Sequence, residues 1–172
     1  MKIEKISDIY EVLKGYTRKK RLVVAFANDS HSIEAVYMAV KAGLVEGILV
    51  GDTETIQGVC KENGYDESCF KIVHEPNDVR GAETAVEMIR NGEADVIMKG
   101  LVSTDKYMRA ILNKERGLVA PNAILSHVVV MECSSYHKLL TVSDVAVIPC
   151  PDLNQKISMI KYVTITAKGF GS

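Results

Sequence analysis

Four short, largely apolar runs recur between Arg21 and Met98, and each is followed by a stretch whose apolar side chains fall at helical spacing. The runs are RLVVAF (Arg21 to Phe26), GILVG (Gly47 to Gly51), FKIVH (Phe70 to His74) and DVIM (Asp95 to Met98). Runs that are apolar throughout, rather than alternating with polar residues, belong to strands buried on both faces. Strands of that kind with helices between them predict an α/β fold with a mostly parallel sheet, right-handed crossovers and helices on both sides.

The helices carry their own punctuation. Ile3, Ile6, Ile9, Tyr10 and Leu13 form one face of a lead-in helix up to about Lys14, which Gly15 closes. Ile33, Val36, Tyr37 and Val40 line a second helix over about Ser32 to Ala42, ended by Gly43. Asp52 or Thr53 caps a third that runs to Asn63, with Gly64 as its stop. Asp78 to Arg90 and Ser103 to Leu112 read as the next two. Beyond the polar connection NKERGLVAPN come ILSHVVVMEC and LLTVSDVAVI, and the brief SSYHK link between them predicts an antiparallel pair. Leu153, Ile157, Ile160 and Val163 place a final helix over Asp152 to about Thr166.

At 172 residues the expectation is one α/β domain over 1–172. A net charge of −1 gives no electrostatic case for nucleic acid or an anionic membrane. No apolar run approaches the roughly 20 residues that span a bilayer, and MKIEKISDIYEVL is amphipathic rather than a signal sequence, so a cytoplasmic protein is expected. Cys60, Cys69, Cys133 and Cys150 form no C-x-x-C pair, and no structural metal or disulfide framework is expected.

In a doubly wound sheet, ligands gather beyond the carboxyl ends of the strands. Four segments qualify: Ala27 to His31, Gly51 to Thr53, His74 to Asp78, and Lys99 to Asp105. The last is the best anion site. Gly100 allows close backbone approach, Ser103 and Thr104 offer hydroxyls and amides at a helix start, and Lys99 adds positive charge. Arg109 lies one to two turns further on, within reach of the same anion. A competing reading treats Ser103 as an ordinary N-cap and Lys99 as a solvated strand end. There is no G-x-x-x-x-G-K-[ST] and no G-x-G-x-x-G after a strand, so neither a P-loop nor a dinucleotide site is expected. His127 sits in an apolar strand environment, as a hydrogen-bonded core histidine or as a catalytic group. Asp144 is costly to bury unpaired, so it should meet a cation or cap a backbone turn.

The segments NGEADVIMKGLVSTDKYMRAILNKERGL, AILSHVVVME and LLTVSDVAVIPCPDLNQKISMI, in that order, resemble the phosphate acetyl/butyryltransferase family, most closely its phosphate butyryltransferase branch. The likeness runs from about Lys20 to Lys161. It implies a three-layer α/β/α fold like a lobe of isocitrate and isopropylmalate dehydrogenases. It also implies reversible acyl transfer between coenzyme A, a substrate rather than a bound cofactor, and inorganic phosphate, with acyl-CoA and acyl phosphate as partners. Arg109 matches an arginine of the family's active cleft and is expected to stabilise charge. Ser103 and Thr104 would take phosphate oxygens, with Lys99, Gly100, His127 and Asp144 as further substrate-binding groups.

Two departures accompany the likeness. The family's T-S-R-x-D-S-like motif is absent, and Ile148 stands where relatives usually carry asparagine. The expectation is an N-terminal lobe without the second lobe, either truncated and inactive alone, and completed by a complementing half, or kept as a non-catalytic binding module for phosphate or a phosphorylated metabolite. Apolar surface left on the last helix would then favour a homodimer.

Overall fold

The computed structural model describes residues 3–171. The chain divides into two compact units, one formed by Thr17–Ala120 and the other by the segment up to Tyr16 together with that from Pro121 onward. Both have helices and strands, and the Thr17–Ala120 unit is of three-layer α/β/α type around a parallel sheet.

The Thr17–Ala120 unit contains β1 (Lys20–Ala25), α2 (Ser30–Lys41), β2 (Val45–Gly51), α3 (Thr53–Asn63), β3 (Phe70–His74), α4 (Asp78–Arg90), β4 (Val96–Lys99) and α5 (Thr104–Leu112), with α1 (Ile6–Lys14) preceding it in the chain. The sheet order is β3-β2-β1-β4, all parallel. Leu22 to Ala25 run beside Val96 to Lys99, and Lys20 to Ala25 beside Val45 to Val50.

Period-two alternation along these strands divides the core between the two faces of the sheet. Val23, Ala25, Ile48 and Val50 pack on Ala82, Ala85, Val86 and Met88 of α4 and on Ala110 of α5. Val24 and Leu49 point the other way, against Ile33 and Val36 of α2 and Ile56 and Cys60 of α3. Val23, Val24, Leu49 and Val50 are wholly buried. Burying a side chain of this size contributes about 1.5–3 kcal/mol, which makes this two-sided sheet the mechanical base for whatever its loops hold. Each crossover helix opens on a side-chain cap: Asp29 accepts from the Ser32 amide, Asp52 from Thr55, and Asn77 from Arg80.

The second unit holds α1, the antiparallel pair β5 (Val129–Met131) and β6 (Leu140–Val142), and α6 (Leu153–Gly169). The backbone amide of Ile6 donates to Glu132, which ties α1 to the far end of β5. Tyr162 of α6 donates its hydroxyl to the Ile124 carbonyl, and Asp152 caps α6 through a reciprocal bond with Gln155. Leu153, Ile157, Ile160 and Ile165 are exposed on α6. The strands are shorter than the apolar runs ILSHVVVMEC and LLTVSDVAVI predict. The reason is local: the amide of His127 and the hydroxyl of Ser126 bond to the Asp144 carboxylate rather than to a strand ladder.

Candidate functional site

The order β3-β2-β1-β4 reverses direction at β1, so the topological switch point lies between the carboxyl ends of β1 and β4. Lys99 ends β4 opposite Ala25, and the chain then stays on β1 for two more bonds. Gly100 donates to the Ala25 carbonyl at 3.0 Å and Leu101 to the Phe26 carbonyl at 2.7 Å. Gly100 is buried, and a β-carbon there would stand 2.3 Å from the Phe26 carbonyl oxygen and 2.9 Å from that of Ala25. The glycine is thus required by the protein's own backbone, whereas the sequence alone assigns its freedom to a ligand.

Ser103 then caps α5, its hydroxyl accepting from the Lys106 amide at 3.3 Å. Helix geometry leaves the amides of the first turn without intrahelical acceptors, so those of Thr104 and Asp105 open from the helix end, where partial positive charge accumulates. Three cations stand around this turn. The Lys99 ammonium lies 3.4 Å from the Gly100 carbonyl, a long contact that leaves it free to turn to an anion. Arg109 reaches one turn back to Asp105 at 3.1 Å, and both side chains are largely exposed, so this bridge is weak and readily exchanged. Lys106 is committed: it meets Asp78, the first residue of α4, at 2.6 Å and holds that carboxyl below its ordinary range. Lys106 is the residue here that sequence reading passes over. Its only signal is its place in the first turn of a helix neighbouring a helix that begins with aspartate.

Lys99, Gly100, Ser103, Thr104 and Arg109 are therefore brought together on one loop and one helix. A cleft of about 660 Å³ elsewhere in this unit, between α4 and α5, is lined by none of them. It mixes Arg80, Arg90 and Arg116 with Glu75, Glu83 and Glu87, a balance that gives no single-sign field to attract phosphate.

The other unit carries His127 and Asp144. His127 is exposed and precedes β5 instead of lying within an apolar strand. Asp144 is partly buried, and its two oxygens accept from four groups of its own chain. Oδ2 takes the Ser126 hydroxyl and the His127 amide at 2.9 Å each, and Oδ1 takes the amides of Ala146 at 2.8 Å and Val147 at 2.7 Å. Burial alone would push this carboxyl up, but the amides of Val147, His127 and Ala146 and the Ser126 hydroxyl together hold it well below the usual carboxylate range. Of the two outcomes open from sequence, a cation or a capped turn, the geometry realises the turn. Among the described residues no cluster of three metal-ligating side chains exists, and no helix is long and apolar enough to cross a membrane.

A parallel sheet with a capped helix start and lysine and arginine side chains beside its switch point defines a doubly wound α/β unit, the class whose ligands gather at such a point. Comparison with known proteins makes this specific. Residues 80–172 match the family described as Phosphate acetyl/butaryl transferase. The chain is 38% identical over 169 residues to the phosphate butyryltransferase of Clostridium acetobutylicum, covering 98% of this chain and 56% of that protein. It is 32% identical over 166 residues to the phosphate acetyltransferase of Thermotoga maritima, covering 96% and 55%. Among solved structures, a phosphotransacetylase from Streptococcus pyogenes superposes with a TM-score of 0.77 at 20% identity, over 98% of this chain and 60% of that one. A branched-chain phosphotransacylase from Enterococcus faecalis gives 0.70 at 22%, over 87% and 51%. The chain belongs to the phosphate acetyl/butaryl transferase family, and it spans about half the length of the curated relatives it matches.

Proposed function

We propose that this chain supplies the phosphate-handling part of a phosphate acyltransferase, which interconverts acyl-CoA plus phosphate with CoA plus acyl phosphate. The observation that carries the reading is that the matched region, residues 80–172, contains α5, whose start opens at the switch point beside Lys99. In the direction that makes acyl phosphate, an oxygen of hydrogen phosphate adds to the thioester carbonyl, the carbon–sulfur bond breaks, and CoA leaves as a thiolate that takes up the proton the phosphate gives up. The reaction therefore needs a cationic cradle for a phosphate dianion and donors for the charge that builds on the acyl oxygen.

Arg109, released from its exposed bridge to Asp105, provides the bidentate cation. The hydroxyl of Thr104 and the first-turn amides of α5 take phosphate oxygens, Ser103 contributes while capping the helix, and Lys99 closes the cradle from the strand end. Gly100 shapes the loop by allowing its contact with β1. In the other unit, His127 is a supporting polar group, and Asp144 acts by fixing the backbone at His127. CoA is a substrate, not a resident cofactor. The 38% identity to a phosphate butyryltransferase, against 32% to a phosphate acetyltransferase, favours a butyryl-type acyl group. The exposed apolar side chains of α6 are the surface we assign to self-association as a homodimer. The comparisons lend no support to a non-catalytic binding module.

The test combines this chain with the part of the Clostridium acetobutylicum phosphate butyryltransferase that it does not span. The expected result is phosphate-dependent release of CoA from butyryl-CoA, faster than from acetyl-CoA and lost with Arg109→Ala. Turnover that Arg109→Ala leaves unchanged would overturn the assignment of the cradle. No release from either thioester would overturn the acyltransferase reading.

A further inference from the structure

Phe26 follows the last residue of β1 with φ of 64°, and the other described non-glycine residue with positive φ is Asn122. Asparagine tolerates the left-handed region, but a bulky aromatic rarely occupies it. Such a conformation persists only where its surroundings over-determine it, and it recurs beside functional sites. The surroundings here are specific. The Phe26 ring lies against Gly81 of α4, where a β-carbon would come within 3.2 Å of Cδ2. Its carbonyl oxygen accepts the Leu101 amide at 2.7 Å and occupies the space a β-carbon at Gly100 would need. The next residue, Ala27, is fully buried and donates to the Val50 carbonyl at 2.7 Å, which fixes the chain on the other side of the strand end. Leu101 is two residues ahead of Ser103, so whatever holds its amide sets where α5 begins.

We infer that Phe26 is a positioning residue for the phosphate cradle: its left-handed backbone, locked by the ring on Gly81, aims the carbonyl that holds Leu101 and so places the start of α5. The inference rests on the phosphate reading of that helix start. It makes backbone conformation, not ring burial, the quantity that matters, and two variants that lose the same ring separate the two.

Phe26→Gly adopts the left-handed conformation freely, whereas Phe26→Ala retains the penalty with nothing to oppose it. The experiment titrates each protein with inorganic phosphate and follows amide exchange at Leu101, with circular dichroism and melting as checks on folding. Phe26→Ala is expected to bind phosphate about tenfold more weakly and to exchange the Leu101 amide faster. Phe26→Gly is expected to stay within roughly threefold of the parent and keep the amide protected. Equal losses in the two variants, or no loss in Phe26→Ala, would overturn the inference while the phosphate reading stands. Failure of the parent chain to bind phosphate would overturn that reading and this inference with it. Should loss of the ring prevent folding, Gly81→Ala presses on the ring without touching the loop. It is expected to weaken phosphate binding, and unchanged binding would overturn the inference.

Discussion

The ammonium of Lys106 and the carboxylate of Asp78 meet at 2.6 Å, joining the first turn of α5 to the first residue of α4. This bond ties the start of the helix assigned to phosphate onto the helix that covers one face of the sheet. Because Lys106 also gives its backbone amide to Ser103, one residue serves both the cap and the cross-link. Lys106→Met should lower the melting temperature at neutral pH. The sign of the pH effect follows from Asp78. Its folded carboxyl titrates below the ordinary 3.8, chiefly through the bond from Lys106. The pair's contribution is complete above the unfolded value and fades as pH falls through the folded one. Melting curves between pH 3 and 7 should therefore converge for the parent and Lys106→Met at the acid end, and a constant gap would contradict the assignment.

Asp144 predicts a second acid-sensitive step, in the other unit. Its four accepted bonds hold it as a carboxylate far below 3.8, so their contribution is intact above about pH 5 and is lost progressively as pH falls through that range and below. Asp144→Ala should expose the amides of His127, Ala146 and Val147 to fast exchange while leaving the Thr17–Ala120 unit protected. Unchanged protection at these three amides would contradict the anchoring role.

Cutting Leu49 back to alanine should cost about 3 kcal/mol, because the side chain is wholly buried between the sheet and α2 and α3. Asn77→Ala, which removes only the cap of α4, should cost about 1 kcal/mol. Urea denaturation reads both. A cap variant as damaging as the core variant would mean that α4 is held by its terminus more than by its buried face.

The exposed side chains on α6 predict association of two copies. Sedimentation at micromolar concentration should show a dimer, and Ile160→Glu, at a position 66% exposed, should shift it to monomer without loss of folding. A monomeric parent chain would contradict the proposal.

The sheet and its crossovers were readable because each strand is a short, mostly apolar run and each helix carries a visible cap or stop. FKIVH and Asp78 to Arg90 coincide with β3 and α4. The region after Pro121 was less readable, since ILSHVVVMEC looks like one long strand until the Asp144 carboxylate takes Ser126 and the His127 amide out of it. The grouping of α1 with that region is not visible in sequence either. It depends on contacts such as Ile6 to Glu132, for which no local pattern exists. Lysine, glycine and hydroxyls after a strand drew attention to the start of α5 as the candidate site. Phe26 escaped notice because an aromatic at the end of an apolar run looks like one more core residue, and only its φ distinguishes it.

If the start of α5 holds phosphate with Arg109, titrating the chain with inorganic phosphate must raise its resistance to thermal unfolding. Binding to the folded state alone raises stability by about 2.7 kcal/mol at a hundredfold excess over the dissociation constant. The melting temperature of the parent chain should climb with phosphate, with a response at least about tenfold weaker in Arg109→Ala, the scale expected for one lost charge-assisted pair. A rise that Arg109→Ala reproduces in full, or no rise in the parent chain, would contradict this assignment.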